Sequence, residues 1–519
     1  MNEEILKTIK EKGLLLEKEV FDLISNFRDI KAAQDFLGLV ERHSSEKIIT
    51  KAVLNKNYEQ LRKITNKFNE ESKNSAEEIF VRLGLNLEIY GKKETIEKKE
   101  ERNSKFKIFY ADTKIEKKIE VSDFTENLKS RYQQLQRILM QRADLSNLIS
   151  INKINSARQN LSIIGLVKEK RTTKNKNIII ILEDLTGEIS ILVKQENRET
   201  FSKAQELQLD EVVAVKASGN RDLLFTNNIY FPDSHIYEKT KFDEDICVAF
   251  LSDVHCGSDR HLSRSFQKFL EWINSEDECA KKIKYLFFLG DNVDGVGIFP
   301  GQENFLAIKS IKEQYDLLAN YIKKIPKHIT IFMCPGQHDA TRVAEPQPII
   351  DKKYAASLYE IENLVLVTNP TMVKLYEGKK EFRFLMYHGA NIHNFISEVP
   401  ELREMKAHSR PAKAVCHMLK RRHLAPTHSS VLYIPNAERD PLVISEVPDV
   451  LCTGEVHRLD IENYNGVLII TGSCWQARTP FEEKVGNIPD PAKVPVLNLR
   501  NRELKIFDFG VQEEINDEY

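Results

Sequence analysis

The 519-residue sequence predicts a multidomain α+β chain, and three observations predict it. The apolar spacing is helical over the first ninety residues, strand-like between about 155 and 235, and mixed beyond Asp243, where strands and helices alternate. A block beginning at Gly91 is almost wholly charged. Eleven of the thirteen histidines lie beyond residue 250, which concentrates the chemistry in the last region. These features divide the chain into a helical domain over 1–90, a charged linker over 91–121, a helix plus small β-barrel over 122–240, and an α/β domain over 241–519.

In the first region Ile5, Leu6 and Ile9, then Val20, Phe21, Leu23 and Ile24, form apolar stripes among Lys and Glu. "GKKETIEKKEERNSKFK" lacks any apolar period and reads as a solvated linker, because its interspersed Glu weakens a polybasic contact with DNA. In "SDFTENLKSRYQQLQRILMQR", Phe124, Leu128, Tyr132, Leu135 and Leu139 share one helical face, with Ser122 placed as N-cap. That face is expected to dock on the strand-rich region next in the chain. The runs "LSIIGLVKEK", "NIIIILEDLTGEISILV", "EVVAVKASG" and "LLFTNNIYFP" are β-branched and separated by turn signals such as Thr186-Gly187. Short strands so closely spaced suit a small barrel, and the "EDLTGEISILV" hairpin is one that OB-folds often show. The loop "KEKRTTKNKN" reads either as a phosphate-facing loop or as an ordinary solvated hairpin.

Composition narrows the function classes. With 41% hydrophobic and 30% charged residues, the chain is of ordinary soluble type. No apolar run reaches the length of a membrane span, and "MNEEILKTIKEKG" lacks the basic and apolar regions of a secretory signal, so a cytoplasmic protein without membrane contact is expected. All seven cysteines lie from Cys247 onward with no C-x-x-C pair, which argues against a zinc ribbon or a disulfide framework. A net charge of −2 gives no global attraction to nucleic acid, so any DNA contact must be local.

Five apolar strands of the last region end in ligand-type residues. "ICVAFLSDVHCGS" finishes at Asp253 and His255, "IKYLFFLGDNVDG" at Asp291 and Asp294, and "ITIFMCPGQHD" at Gln337, His338 and Asp339. "FRFLMYHG" finishes at His388 and "VPDVLCTGEVH" at Glu455 and His457. Ligands collect beyond the carboxyl ends of strands in α/β sheets, so these groups can converge although they span about 200 residues. Carboxylates and imidazoles without thiolates suit a divalent ion such as Mn²⁺. Two such ions about 3.5–4 Å apart, bridged by a carboxylate, can activate water and hold a phosphoryl oxygen.

"DVHCGS", "GDNVDG", "GQHDATRVAEPQP", "YHG" and "GEVH" resemble the motif series of calcineurin-like metallophosphoesterases, including the double-strand-break repair nucleases. More specifically, "GDNVDGVGIFPGQE", "RRHLAPTHSS", "LVISEVPDVLCTGEVH" and "WQARTPFEEKVGNIPDPAKVPVLNL" resemble the small subunits of archaeal family D DNA polymerases, over roughly residues 120 to 519. The resemblance implies a phosphoesterase sandwich behind an OB-fold and a heterodimer with the large catalytic polymerase subunit. It also implies a 3′→5′ exonuclease acting on single-stranded or mismatched DNA 3′ ends with two divalent ions, Mn²⁺ or Mg²⁺. By the same carry-over Asp253, His255, Asp291 and His457 hold the first ion, and Asp291, Gln337, His388 and Glu455 the second. The carry-over also implies that His338 protonates the leaving 3′-oxygen or stabilises the transition state, and that Asp339 orients His338.

Two positions depart from the family pattern, both at the second ion: Gln337 stands for asparagine and Glu455 for histidine. Glu455 keeps a metal-binding group but replaces a neutral nitrogen by a charged oxygen. Two readings are open, a proofreading nuclease and a scaffold subunit whose nuclease is impaired.

Overall fold

The computed structural model describes residues 105–515 apart from 116 and 486, together with a few positions before residue 50. The chain divides into two compact units, Met1–Glu101 and Arg102–Tyr519. Within the first, Leu15–Leu16 pairs in parallel with Ile48–Ile49. The rest of the expected helical domain and most of the linker lie outside the described residues.

At the start of the second unit the linker expectation is corrected. Phe106–Tyr110 (β1), read from the sequence as the end of a solvated linker, is a strand paired with a later edge strand. Phe106 and Ile108 pack on the core beneath, while Lys107 and Phe109 alternate with them on the other side. The next element, Val121–Leu139 (α1), starts before the expected cap: Glu120 is the N-cap, and its N–H donates to the Asp123 carboxylate at 2.8 Å. Its apolar face docks as expected, with Tyr132, Leu135 and Leu139 buried against Ile164, Leu166 and Val212.

Five strands form a closed barrel: Gln159–Thr172 (β2), Ile178–Asp184 (β3), Gly187–Val193 (β4), Val212–Gly219 (β5) and Leu224–Tyr230 (β6). The order around the barrel is β2-β3-β4-β6-β5, with helix Arg198–Glu206 (α2) between β4 and β5. Ile163, Ile180, Ile191 and Val215 alternate into a dry centre, which is why these runs are β-branched.

The remainder is a sandwich of two six-stranded sheets. The first contains Cys247–Leu251 (β7), Ile283–Leu289 (β8), Thr330–Cys334 (β9) and Leu364–Leu366 (β10), all parallel. The second is built on Thr371–Glu377 (β11), Lys380–Met386 (β12), Val450–Thr453 (β13), Asp460–Tyr464 (β14) and Val467–Thr471 (β15), and β1 completes its edge in the order β14-β15-β13-β12-β11-β1. Lys493–Asn498 (β16) and Leu504–Asp508 (β17) return to the first sheet, giving β10-β9-β8-β7-β16-β17.

Between the sheets lies an aromatic layer in which Phe287 and Phe384 are 5.0 Å apart. Helices Ser263–Ile273 (α3) and Ile311–Ile322 (α4) cover the first sheet, and Ile392–Glu398 (α5) and Ala412–Arg421 (α6) cover the second. A strand buried on both faces must be apolar throughout, which explains "VAFL" and "YLFFL".

Helix α1 is tied to this body by charge as well as packing. The buried Asp440 carboxylate accepts from Arg131 Nε at 2.7 Å and from Asn127 at 3.1 Å, and meets His423 at 3.1 Å. Burial alone would raise that carboxyl, but Arg131 and His423 hold it well below the usual carboxylate range.

Candidate metal centre

Strands β7, β8 and β9 are parallel neighbours in one sheet, and β12 and β13 are parallel neighbours in the other. Their carboxyl ends bring Asp253, His255, Asp291, His388, Glu455 and His457 to one edge of the sandwich. The chain turns sharply after each strand. Asp253, His255, Asp291, Glu455 and His457 have left-handed backbones, with φ of 51°, 48°, 48°, 75° and 57°. Such conformations cost on the order of 1–3 kcal/mol each and persist only where the surroundings enforce them. Here backbone hydrogen bonds do so: Asp253 N–H to Gly290 at 3.0 Å, His255 N–H to Asp291 at 3.0 Å, and Gly454 N–H to His388 at 2.7 Å. The loops also approach closely. A Cβ on Gly336 would lie 2.2 Å from Asp291 Oδ1, so only glycine fits there.

Asp291 lies at the middle. Its Oδ2 is 3.9 Å from His255 Nε2, 3.3 Å from His388 Nε2 and 4.0 Å from His338 Nε2. On one side His255 Nε2 and His457 Nε2 are 3.1 Å apart, with Asp253 Oδ1 3.7 Å from His457. On the other, His388 Nε2 is 3.0 Å from Glu455 Oε2. His388 Nε2 nevertheless makes no aligned hydrogen bond, and Asp253 Oδ2, fully buried, has no partner. Buried polar atoms are normally satisfied. Atoms that crowd together without bonding one another suit a cation placed among them, and hard oxygens with imidazoles suit Mn²⁺ or Mg²⁺. Burial would raise Asp291, but His388 and His338 hold it well below the carboxylate range. Burial would lower His388, and the Asp291 and Glu455 carboxylates raise it well above the usual imidazole value.

Residues 248–459 match the family model for the B subunits of DNA polymerases alpha and epsilon. The chain is 39% identical over 407 residues to the DNA polymerase II small subunit of Pyrococcus abyssi, covering 76% of this chain and 64% of that one. It is 40% identical over 386 residues to the DNA polymerase II small subunit of Methanothermobacter thermautotrophicus, covering 73% of this chain and 78% of that one. The chain belongs to the archaeal DNA polymerase II small-subunit family, that of the family D polymerases. The match spans about 64% of the length of the Pyrococcus relative. A solved archaeal phosphodiesterase aligns with 50% of this chain and 99% of its own at 14% identity and a TM-score of 0.25, from which nothing about activity follows.

In this small subunit the outward nitrogens of two inner histidines are tied down. His255 Nδ1 meets Asp294 Oδ1 at 3.0 Å and His388 Nδ1 donates to the Leu289 carbonyl at 2.8 Å, which fixes tautomer and ring orientation. His457 Nδ1 lies 3.1 Å from Glu482 Oε1 without an aligned hydrogen bond. Asp294 is itself held by Gln302 and Gln476, each at 3.1 Å. The sequence marks Asp294 as a strand-end residue but assigns it no role. It carries no signal for Glu482, nor for His393, whose Nε2 is 3.7 Å from Glu455 Oε1.

The role expected for Asp339 is corrected. His338 Nδ1 bonds the backbone carbonyl of Asp294 at 2.7 Å, whereas the Asp339 carboxylate accepts from Gly336, Asn292 and Tyr315. Asp339 thus pins the loop that carries His338 instead of orienting the ring; burial and Asp291 push its carboxyl up to about 6. Gln337 is half-buried on that loop, and its amide makes no hydrogen bond among the described residues. No described helix is long and apolar enough to cross a membrane.

Proposed function

We propose that this small subunit is a metal-dependent phosphodiesterase acting as a 3′→5′ exonuclease in the cytoplasm, in complex with a large catalytic polymerase subunit. The observation that carries it is the two-sided convergence on Asp291, with Asp253 Oδ2 and His388 Nε2 buried and unbonded among the other donors. Asp253, His255, Asp291 and His457 would hold one divalent ion, and Asp291, His388, Glu455 and the Gln337 amide a second. Bound Mn²⁺ or Mg²⁺ supplies charge to a phosphoryl oxygen and acidity to water. His338 stands at the rim, partly exposed, with its Nε2 free of strong partners. Burial would lower its pKa, but Asp291 and the Asp294 carbonyl raise it above the ordinary imidazole value, which favours the protonated ring. As water attacks the terminal phosphate, the P–O3′ bond breaks and imidazolium Nε2 delivers its proton to the departing 3′-oxygen. The products are a nucleoside 5′-monophosphate and a strand with a free 3′-hydroxyl.

We read the barrel as an OB-fold on its strand order and intervening helix, serving as a platform between the sandwich and the large subunit. A scaffold reading is favoured by one observation, the carboxylate of Glu455 where the family has imidazole. The test is stepwise shortening of 3′-terminated single-stranded and mismatched DNA with Mn²⁺. Shortening supports the nuclease; no turnover alone or with the large subunit supports the scaffold.

A further inference from the structure

The stretch "EPQP", residues 345–348, lies on the segment after β9, and none of its residues is a candidate ligand of the metal centre. Its two polar side chains nevertheless both reach the end of β12. Glu345 Oε2 accepts from the Tyr387 hydroxyl at 3.2 Å. Gln347 reaches His388, the next residue, through Asn369, which stands between β10 and β11. The backbones of Gln347 and Asn369 exchange two hydrogen bonds, at 2.7 and 3.1 Å, and both residues are only 1% exposed. Gln347 Nε2 donates to the Gly336 carbonyl at 2.9 Å and to the Arg342 carbonyl at 3.1 Å, which uses both its hydrogens. Its Oε1 accepts from Asn369 Nδ2 at 2.7 Å, and Asn369 Oδ1 accepts the His388 N–H at 2.9 Å. Carbonyls at one end of this amide link demand donors and the N–H at the other demands an acceptor, so neither amide can turn over.

The link joins the two sides of the second half of the centre. Gly336 is wedged between two ligands: a Cβ there would lie 2.2 Å from Asp291 Oδ1 and 2.8 Å from His388 Nε2. Two residues on, the His338 N–H donates to Asp291 Oδ1 at 2.8 Å, and Gln337 stands between them. Strands β9 and β12, which deliver Gln337 and His388, belong to different sheets, so no ladder sets their separation. Stability alone does not call for buried amides here, because apolar side chains of the same shape can replace a hydrogen-bonded pair at nearly no cost. A fully satisfied polar network instead fixes one arrangement. We propose that Gln347 and Asn369 are positioning residues for the second ion, setting the separation between the Gln337 loop and His388 across the two sheets; the inference rests on the two-ion reading of the site. Asp253, His255 and His457 are not among their hydrogen-bond partners, so the effect falls on the second ion and spares the first.

The experiment is a Mn²⁺ titration of the full-length chain by calorimetry, with electron paramagnetic resonance of the bound ions and the unfolding temperature of the metal-free protein. Gln347→Met, close in shape and unable to donate, should weaken the second ion about 10–100-fold, leave the first unchanged and diminish the spin-coupled signal of the ion pair. Asn369→Asp keeps the acceptor for the His388 N–H but loses the donor to Gln347, and should give the same selective loss in smaller measure. As a control, Gln314→Met removes another buried amide, one that bonds Gly295 beyond Asp294, and should leave the second ion unchanged. Two ions in the wild type with an unaltered second affinity in Gln347→Met would overturn the proposal. So would equal weakening of both ions alongside a lower unfolding temperature, or the same selective loss in Gln314→Met. Should Gln347→Met not fold, Asn369→Asp decides on the same criteria. A single ion in the wild type would overturn the two-ion reading itself, and the proposal with it.

Discussion

On one side of Asp291 the two imidazoles, His255 and His457, are backed by the carboxylates of Asp294 and Glu482. On the other side the single imidazole, His388, is backed by a backbone carbonyl and shares its inner face with the carboxylate of Glu455. The first half is thus a mixed nitrogen and oxygen set with charged support behind it. The second is richer in oxygen, with the Glu455 carboxylate on the inner face of His388. A site of this kind binds hard cations well, and when empty it repels an anionic substrate. The difference teaches that a carboxylate at Glu455 places charge on the inner face of the centre while staying within the cluster, 3.0 Å from His388.

The largest effect expected is at the shared residue: Asp291→Ala should reduce Mn²⁺-dependent shortening of single-stranded DNA to background, since both halves lose a ligand. Next comes the rim. His338→Ala should slow turnover on the order of 10²–10⁴-fold while calorimetry shows metal binding unchanged. On the proposed proton-donor role, and with the His338 pKa raised, the wild-type rate should fall as pH rises through a value above the ordinary imidazole one. A break near the ordinary histidine value would count against that role. Then the supports: Asp294→Ala should weaken the first ion about 10–100-fold in a Mn²⁺ titration, and His388 offers no equivalent side chain to remove. The smallest effect is expected at His393→Ala, where a half-exposed ring 3.7 Å from Glu455 should contribute less than about 1 kcal/mol to binding of the second ion.

The sequence carried the strand ends well, because a strand buried on both faces is a long apolar run and the polar residue that ends it stands out. Asp253, His255, Asp291, His388, Glu455 and His457 were all legible that way, and so was the barrel, whose β-branched alternation is local. What was hidden depends on distant partners. Phe106–Tyr110 pairs as a strand only because β11 offers an edge, and its flanking charges disguise it. The helix cap moved from Ser122 to Glu120 because Asp123 reaches back to the Glu120 N–H. Asp339 follows His338 in sequence, yet adjacency placed its carboxylate under the loop, toward Tyr315 and Asn292. The left-handed turns at Asp253, His255, Asp291, Glu455 and His457 leave no trace in composition, since Asp, Glu and His stand there instead of glycine.

The most direct test of whether Glu455 remains part of a two-ion centre is Mn²⁺ stoichiometry by calorimetry on the wild type and on Glu455→Ala. Two ions in the wild type and one in the variant are expected, with Glu455→His plus Gln337→Asn restoring two and shifting preference toward softer metals. The same number of ions in wild type and Glu455→Ala would contradict it.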